Sequence, residues 1–149
     1  MTLPTRALSV RAPWDYAILH LGKDIENRPQ SHSVRGPVLI QCSTTWRPAE
    51  IAEAMAFIRQ LAQDGWAPAS PPPPSRLYGR RGMIVGVVDV VDCVTRSASP
   101  WFFGPVGFTL ANPRPLPEPV PCRGMLGFFP VPPDVLERVH AQLRATGVV

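Results

Sequence analysis

The chain has 149 residues, which is enough for one domain with a hydrophobic core. Hydrophobic residues make up 45% of it and charged residues 17%, and no apolar run is long enough to predict a membrane-spanning helix. The first residues lack the apolar core of a signal peptide, so we expect a cytoplasmic protein without a membrane partner. The net charge of +4 favours a phosphate-bearing partner.

The cysteines and histidines indicate neither a disulfide framework nor a metal site. The three cysteines are odd in number and far apart, and the three histidines are isolated in the chain. Zinc sites and disulfide frameworks use close or evenly paired residues of these types. We therefore expect ordinary buried thiols, no metal and no other cofactor.

The first third of the chain predicts a strand, a short helix and a polar segment. Residues 7–10 predict the strand, and Pro13 suits the first turn of a helix because its missing N–H is not needed there. Gly22 suits the end of this helix, and apolar residues at three- and four-residue spacing form its buried stripe: Trp14, Ala17, Ile18 and Leu21. The next residues, Lys23 to Arg28 (KDIENR), predict an exposed strand or a bulged turn at the mouth of a barrel.

The middle of the chain predicts two strands on either side of a helix and a loop. Residues 35–43 are rich in strand formers, and a helix entered at Pro48 carries one apolar stripe: Ile51, Met55, Ile58 and Leu61. Residues 66–82 contain four consecutive prolines and predict a surface loop. Its arginines, Arg76, Arg80 and Arg81, either follow a phosphate backbone or are simply solvated. Residues 83–94 are rich in valine and predict a central strand.

The last third predicts two strands and a closing helix. Residues 106–112 and 125–131 predict the strands, and the alternating prolines between them allow only an edge or extended strand. Residues 133–146 predict the helix, with a stripe formed by Leu136, Val139 and Leu143. The chain therefore predicts a single α+β domain, 1–149, with a curved sheet and three flanking helices.

Five stretches of the sequence resemble the ASCH family, a relative of PUA domains. In chain order they are SVRAPWDYAI, KDIENR, RGPVLIQCS, WFFGPVGFTLANPRPL and RGMLGFF. The likeness covers the chain from Ala7 to about Val131. It departs from the family pattern at Leu21, where the family usually has a glycine two residues before the motif lysine, whereas here Gly22 directly precedes Lys23. The resemblance implies a small PUA-like β-barrel of about five to six strands, with a cleft near the first helix that relatives use to bind RNA, DNA or modified bases.

The candidate site is centred on the KDIENR segment. Alternate residues of a strand point to opposite faces, so Lys23 and Glu26 meet only through a bulge. If they meet, the ammonium can contact a phosphate or polarise a carbonyl, and the carboxylate can accept from an exocyclic amine or activate water. A structural ion pair is the alternative. Arg28 suits a phosphate or a guanine edge, or it braces Glu26 or Asp24.

Further candidates lie outside that segment, and each has a structural alternative. Arg11 and Trp14 flank the start of the first helix, where phosphate and a stacked base are favoured, although Trp14 also suits the core. Trp101 beside Phe103 and Gly104 is either a stacking platform or a plug at one end of the barrel. Ser43 either contacts the ligand or belongs to the cap of the second helix. The predicted ligand-binding residues are Arg11, Trp14, Lys23, Glu26, Asn27, Arg28, Ser43 and Trp101.

Three functions remain open from the sequence. The first is recognition of a nucleic-acid base or nucleotide in a basic cleft, with RNA or a modified base favoured. The second is hydrolysis of RNA or modified nucleosides by Lys23 and Glu26. Some ASCH enzymes use a lysine, a threonine nucleophile and a glutamate, but here Glu26 occupies the threonine position, which leaves only water-mediated hydrolysis. The third is a protein-interaction module in a transcription-linked assembly, as the family resemblance and the proline-rich loop suggest.

Overall fold

The computed structural model describes residues 2–147, which contain six strands and four helices. The strands are β1 (Arg6–Val10), β2 (Ile25–Arg28), β3 (Gly36–Cys42), β4 (Met83–Val94), β5 (Val106–Pro121) and β6 (Phe128–Pro130). The helices are α1 (Trp14–His20), α2 (Pro48–Gln63), α3 (Pro74–Tyr78) and α4 (Pro133–Ala145). None of these helices has the length and apolarity that crossing a bilayer requires.

The strands form one mixed sheet in the order β2-β5-β4-β3-β1-β6. The β1–β3 pair is parallel, and the other neighbouring pairs are antiparallel. The sheet curls into an open half-barrel. The curl is visible from one contact: the Arg28 Nη2 atom on β2 donates to the Ser9 backbone oxygen on β1 at 2.7 Å, although three strands separate β2 from β1 in the sheet. The predicted α+β class and strand number are confirmed.

The curl of the sheet coincides with irregular pairing between β4 and β5. Their register shifts at three places along β4, and each such bulge strengthens the local twist. Gly86 lies in this region, where an added Cβ would stand 2.6 Å from Leu19 Cδ2 and 2.9 Å from the Arg114 backbone oxygen. The absence of a side chain at Gly86 therefore lets α1 pack directly on β4, and this places the start of α1 beside β1 and β2.

From Ile84 to Val90, β4 is buried on both faces apart from the half-buried Asp89, as its nearly continuous apolar sequence predicts, whereas Val91 and Asp92 beyond it are exposed. On one face, Ile84 and Val87 pack with the buried stripe of α4, which includes Val139 and Leu143. On the other face, Val85 and Val88 pack with Ile18 and Leu19 of α1. The predicted stripe of α2 is also buried, and Ile58 and Leu61 contact α1. The predicted closing helix is confirmed, and of its predicted stripe Val139 and Leu143 are buried while Leu136 is partly buried.

The proline-rich segment differs from the sequence prediction. It contains α3, so the described part of the chain has four helices and the prediction of three was wrong. Leu77 of α3 is fully buried against Ile51 and Met55 of α2, which anchors an otherwise largely exposed segment. The four consecutive prolines indicated a loop and so concealed this helix. The last of them, Pro74, stands in the first turn of α3, where a proline is tolerated.

β5 is one strand of 16 residues where two separate segments were expected. β2 pairs with β5 only from Val106 to Thr109, and beyond this point β5 is an edge strand paired with β4 alone. Its prolines occupy alternate positions from Pro113 to Pro121, so the missing N–H groups fall on one edge and the other edge remains for β4. The predicted extended or edge strand is therefore the second half of β5.

Candidate functional site

A cleft of about 510 Å³ opens where β2 curls towards β1 at the start of α1. Clefts of about 300–1,000 Å³ are the usual size of small-molecule sites. The cleft of this protein is lined by Ser9, Val10, Arg11, Trp14, Lys23, Glu26, Asn27, Arg28, Ser43, Thr45, Phe103, Met125, Leu126 and Gly127. The fold thus brings together every predicted site residue except Trp101.

Lys23 and Glu26 meet at the floor of this cleft. The Lys23 Nζ atom donates to Glu26 Oε1 at 3.1 Å and to the Ile25 backbone oxygen. The two side chains can meet because Lys23 precedes β2 and lies in the turn after Gly22, whose φ is +78°. Only 4% of Lys23 and 7% of Glu26 are exposed, so the prediction of an exposed strand here was wrong.

Arg28 completes a three-charge cluster with Lys23 and Glu26. Its Nε atom donates to Glu26 Oε2 at 3.0 Å, and its Nη2 atom lies 2.9 Å from the same oxygen. Each oxygen of Glu26 therefore accepts from a different cation, and the cluster carries one net positive charge. Buried charge is costly unless it is compensated, so an anionic or electron-rich ligand is favoured at this floor.

Aromatic rings form one wall of the cleft. The Lys23 ammonium lies 5.6 Å from the centre of the Trp14 ring, which is close enough for a cation–π interaction. Phe57 of α2 packs edge-on against Trp14 and also against Phe103. Phe103 is 59% exposed and lines the cleft, whereas Trp101 is 2% exposed and packs in the interior against Phe57. Trp101 is therefore a core residue and not an exposed platform, and Phe103 of the same aromatic group is the ring that faces the cleft.

Asn27 holds the loop that carries Phe103. Its Nδ2 group donates to the Trp101 backbone oxygen at 2.9 Å, and its Oδ1 atom accepts from the backbone N–H groups of Phe103 and Gly104 at 2.8 and 3.0 Å. The amide is thus engaged at both ends. Asn27 lines the cleft, but its contacts position the loop beside it.

The opposite wall was not predicted as part of the site. It consists of Met125, Leu126 and Gly127, and Leu126 is 99% exposed at the rim. The signal was present in the sequence RGMLGFF, where two large apolar residues stand between glycines. An added Cβ at Gly124 would lie 2.8 Å from Gln41 Oε1, so this loop runs close to β3.

Arg11 and Ser43 lie at the edge of the cleft. The Arg11 guanidinium is half-exposed, and its Nη1 atom is 3.6 Å from Glu50 Oε2. The Ser43 Oγ atom accepts from the Thr45 N–H at 3.1 Å and so stabilises a turn. Ser43 does not cap α2, because the residue before that helix is Arg47 and no side-chain cap is formed.

A second buried carboxylate, Asp15, lies outside the cleft and was not singled out from the sequence. Its Oδ2 atom is 3.4 Å from Arg80 Nη2, and only 1% of the residue is exposed. Burial raises the pKa of Asp15 above its ordinary value, although the Arg80 guanidinium opposes this effect. Burial and the nearby Asp15 charge also raise the pKa of Cys42. Arg80 therefore anchors the proline-rich segment to α1. The sequence had left open whether the arginines of this segment follow a phosphate backbone or are simply solvated.

No protein-family model matches the chain, and no curated protein is significantly similar to it. Within residues 2–147, no group of three or more histidine, cysteine, aspartate or glutamate residues is arranged to hold a metal ion. The site must therefore be interpreted from its own geometry.

Proposed function

We propose that this protein binds a nucleic-acid base or nucleotide, with RNA or a modified base as the favoured ligand, in the cleft between β1, β2 and α1. The observation that carries the proposal is the Lys23–Glu26–Arg28 cluster, which places one net positive charge at the floor of the cleft. Charged and polar groups at a floor, with apolar groups on the walls, suit a planar ligand that has a polar edge and two apolar faces.

The walls support the same ligand class. Phe103, Met125 and Leu126 are all strongly exposed, and all three line this one cleft. Exposed large apolar side chains that collect around one site indicate a binding surface rather than chance exposure. Aromatic side chains stack on bases of any sequence, and here Phe103 provides such a ring.

We further propose that the chain is a PUA-like member of the ASCH family. All five resembling stretches contribute residues to this one cleft, although they are spread from Ser9 to Phe129. Residues 9–18 and 23–28 supply the floor and one edge, Ser43 and Phe103 supply the sides, and residues 125–127 supply the far wall. A shared ligand site would explain why these separate stretches resemble one family together.

Binding is favoured over hydrolysis because of the state of Glu26. A general base or nucleophile must direct a lone pair at its substrate or a water, and each contact with a cation occupies one lone pair of a carboxylate oxygen. Both Glu26 oxygens accept from cations, at 3.1 Å from Lys23 and 3.0 Å from Arg28. The carboxylate therefore acts first as the partner that holds two cations at the floor.

The direct test is binding of labelled single-stranded RNA and DNA by wild-type protein and by Arg28→Ala across a salt series. We expect salt-sensitive binding that Arg28→Ala weakens by about tenfold or more, because the variant removes the exposed cation of the cluster. Arg96→Ala is the matched control, since Arg96 is exposed and lies outside the cleft.

The same mixtures separate the remaining hypotheses. Cleaved or deacylated products that disappear in Glu26→Gln would support the hydrolase instead. Failure of RNA, DNA and free nucleotides to bind at low salt would contradict the proposal and leave a protein partner as the next hypothesis.

A further inference from the structure

The cleft has unused hydrogen-bond donors at its floor and edge. Arg28 uses its Nε and Nη2 groups within the protein, but none of the described residues accepts from its Nη1 group. Lys23 has three ammonium hydrogens and donates to two acceptors, the Ile25 backbone oxygen and Glu26 Oε1, so one hydrogen remains. Ser43 Oγ accepts from Thr45, which leaves its O–H free to donate. These groups can all donate to a ligand.

The carboxylate and amide oxygens at the floor of the cleft already accept hydrogen bonds within the protein. Each Glu26 oxygen accepts from a cation, and the Asn27 oxygen accepts from two backbone N–H groups. Gln41 lies behind the cleft, where its Oε1 atom accepts from Ser9 Oγ at 2.6 Å and its Nε2 group donates to the Cys122 backbone oxygen. Among the charged groups at the floor, Arg28 Nη1 and one Lys23 hydrogen therefore remain to donate, whereas both Glu26 oxygens already accept from cations.

This imbalance distinguishes between bases. Guanine presents the acceptors O6 and N7, and uracil presents O4, whereas adenine and cytosine present an amino group at the corresponding position. A guanidinium N–H of arginine can donate to a carbonyl oxygen. Facing an amino group, it forms no hydrogen bond, because both groups are donors. We propose that the cleft selects a base with a carbonyl at this position, guanine or uracil, and that Arg28 donates a hydrogen bond to that carbonyl. This inference rests on the proposed function.

Arg11 is placed to hold the phosphate of the same nucleotide. It lines the same cleft as Arg28 but is about half-exposed at the rim, where its Nη1 atom lies 3.6 Å from Glu50 Oε2. An exposed ion pair of this length is weak, so the guanidinium is available to another anion. A phosphate remains partly hydrated at the rim, while the base occupies the floor between Phe103 and the far wall. Arg28 thus determines base identity and Arg11 adds affinity without selectivity.

The test of base identity uses four RNA pentamers that differ only in the central base, which is flanked on each side by two cytidines. We expect wild-type protein to bind the pentamers with central guanine or uracil about tenfold more tightly than those with adenine or cytosine. Arg28→Lys should reduce this preference to about threefold or less, because a lysine lacks the planar fork. Arg96→Ala should keep the full preference.

The test of phosphate binding compares uridine with uridine monophosphate. Arg11→Ala should weaken the monophosphate by about fivefold or more and leave uridine unchanged. Equal loss for both ligands would overturn the role of Arg11.

The outcomes separate this inference from the function on which it rests. Tight, salt-sensitive binding of all four pentamers with equal affinity would overturn base selection and leave the proposed function intact. Preference for adenine or cytosine would also overturn it and would indicate that Glu26 reads an amino group. No binding of any pentamer or mononucleotide would overturn both proposals.

Discussion

Glu26 is the residue on which the arrangement of the cleft depends most. It accepts from Lys23 through one oxygen and from Arg28 through the other, and both cations are held in a region of low exposure. Arg28 also donates to the Ser9 backbone oxygen on β1, so the cluster helps to join the two sides of the curled sheet. Loss of the single carboxylate would therefore affect charge and architecture together.

Glu26→Gln should lower the free energy of unfolding by about 3 kcal/mol, because the buried Lys23 and the partly buried Arg28 lose the carboxylate that both of them contact. Urea denaturation followed by circular dichroism measures this loss. Glu137→Gln on the exposed face of α4 is the matched control and should change stability by less than about 0.5 kcal/mol. Equal stability of Glu26→Gln and wild type would contradict the view that this carboxylate holds the cluster together.

Asp15 predicts a specific pH dependence of stability. Burial raises its folded-state pKa above the ordinary value of 3.8, so the folded protein binds the proton more tightly than the unfolded chain does. The contribution of this proton to stability is complete below about pH 3.8 and is lost as the pH rises through the folded-state pKa.

The unfolding free energy of wild type minus that of Asp15→Asn should therefore fall as the pH rises from 3.8 and then become constant. Denaturation curves at half-unit steps of pH measure the difference, and Asp64→Asn on the exposed end of α2 should show no such trend. A difference that rises with pH would show that Arg80 stabilises the charged carboxylate more than burial disfavours it.

At the scale of elements, β2 and the loop before β5 act as one unit. β2 pairs with the first four residues of β5, and Asn27 adds three hydrogen bonds to residues 101, 103 and 104. The position of Phe103 at the cleft is therefore set by a residue on another strand. If Phe103 stacks on a ligand as proposed, this coupling makes Asn27 the residue that positions the stacking ring.

Phe103→Ala should weaken RNA binding by about tenfold, since one base–aromatic stack is lost. Asn27→Ala should weaken it to a similar extent by releasing the loop, and the double variant should bind no worse than the weaker single variant. Fluorescence anisotropy measures all three, with Trp66→Ala as the control because Trp66 is exposed outside the cleft. Additive losses would show that Asn27 acts on the ligand independently of Phe103.

At the scale of the whole molecule, the curl of the sheet is what creates a site. β1 and β2 are separated by three strands in the sheet order, yet a side chain of β2 reaches the backbone of β1. α1 lies across the same opening because Gly86 lets it approach β4 closely. Residues from Ser9 to Gly127 then surround one volume of about 510 Å³.

Much of the local structure could be predicted from the sequence. The stripe of α2 follows a period of 3.6 residues, and β4 is a nearly continuous valine-rich run; both patterns depend only on neighbouring residues. α3 was missed because its five residues are too few for a periodic pattern, and its only buried side chain is Leu77. The union of residues 106–121 into one strand depended on pairing with β4, which no local pattern reveals.

The sequence by itself determined the α+β class, most of the elements and the set of polar residues available for a site, because periodicity and turn chemistry are local properties. Only the tertiary structure decided that Lys23 and Arg28 share Glu26, that Phe103 faces the cleft while Trp101 is buried, and that Arg80 pairs with Asp15. The Lys23–Glu26 contact depends on the backbone turn at Gly22, whereas the burial of Trp101 and the Arg80–Asp15 pair depend on packing between residues far apart in the chain, which no local pattern reveals.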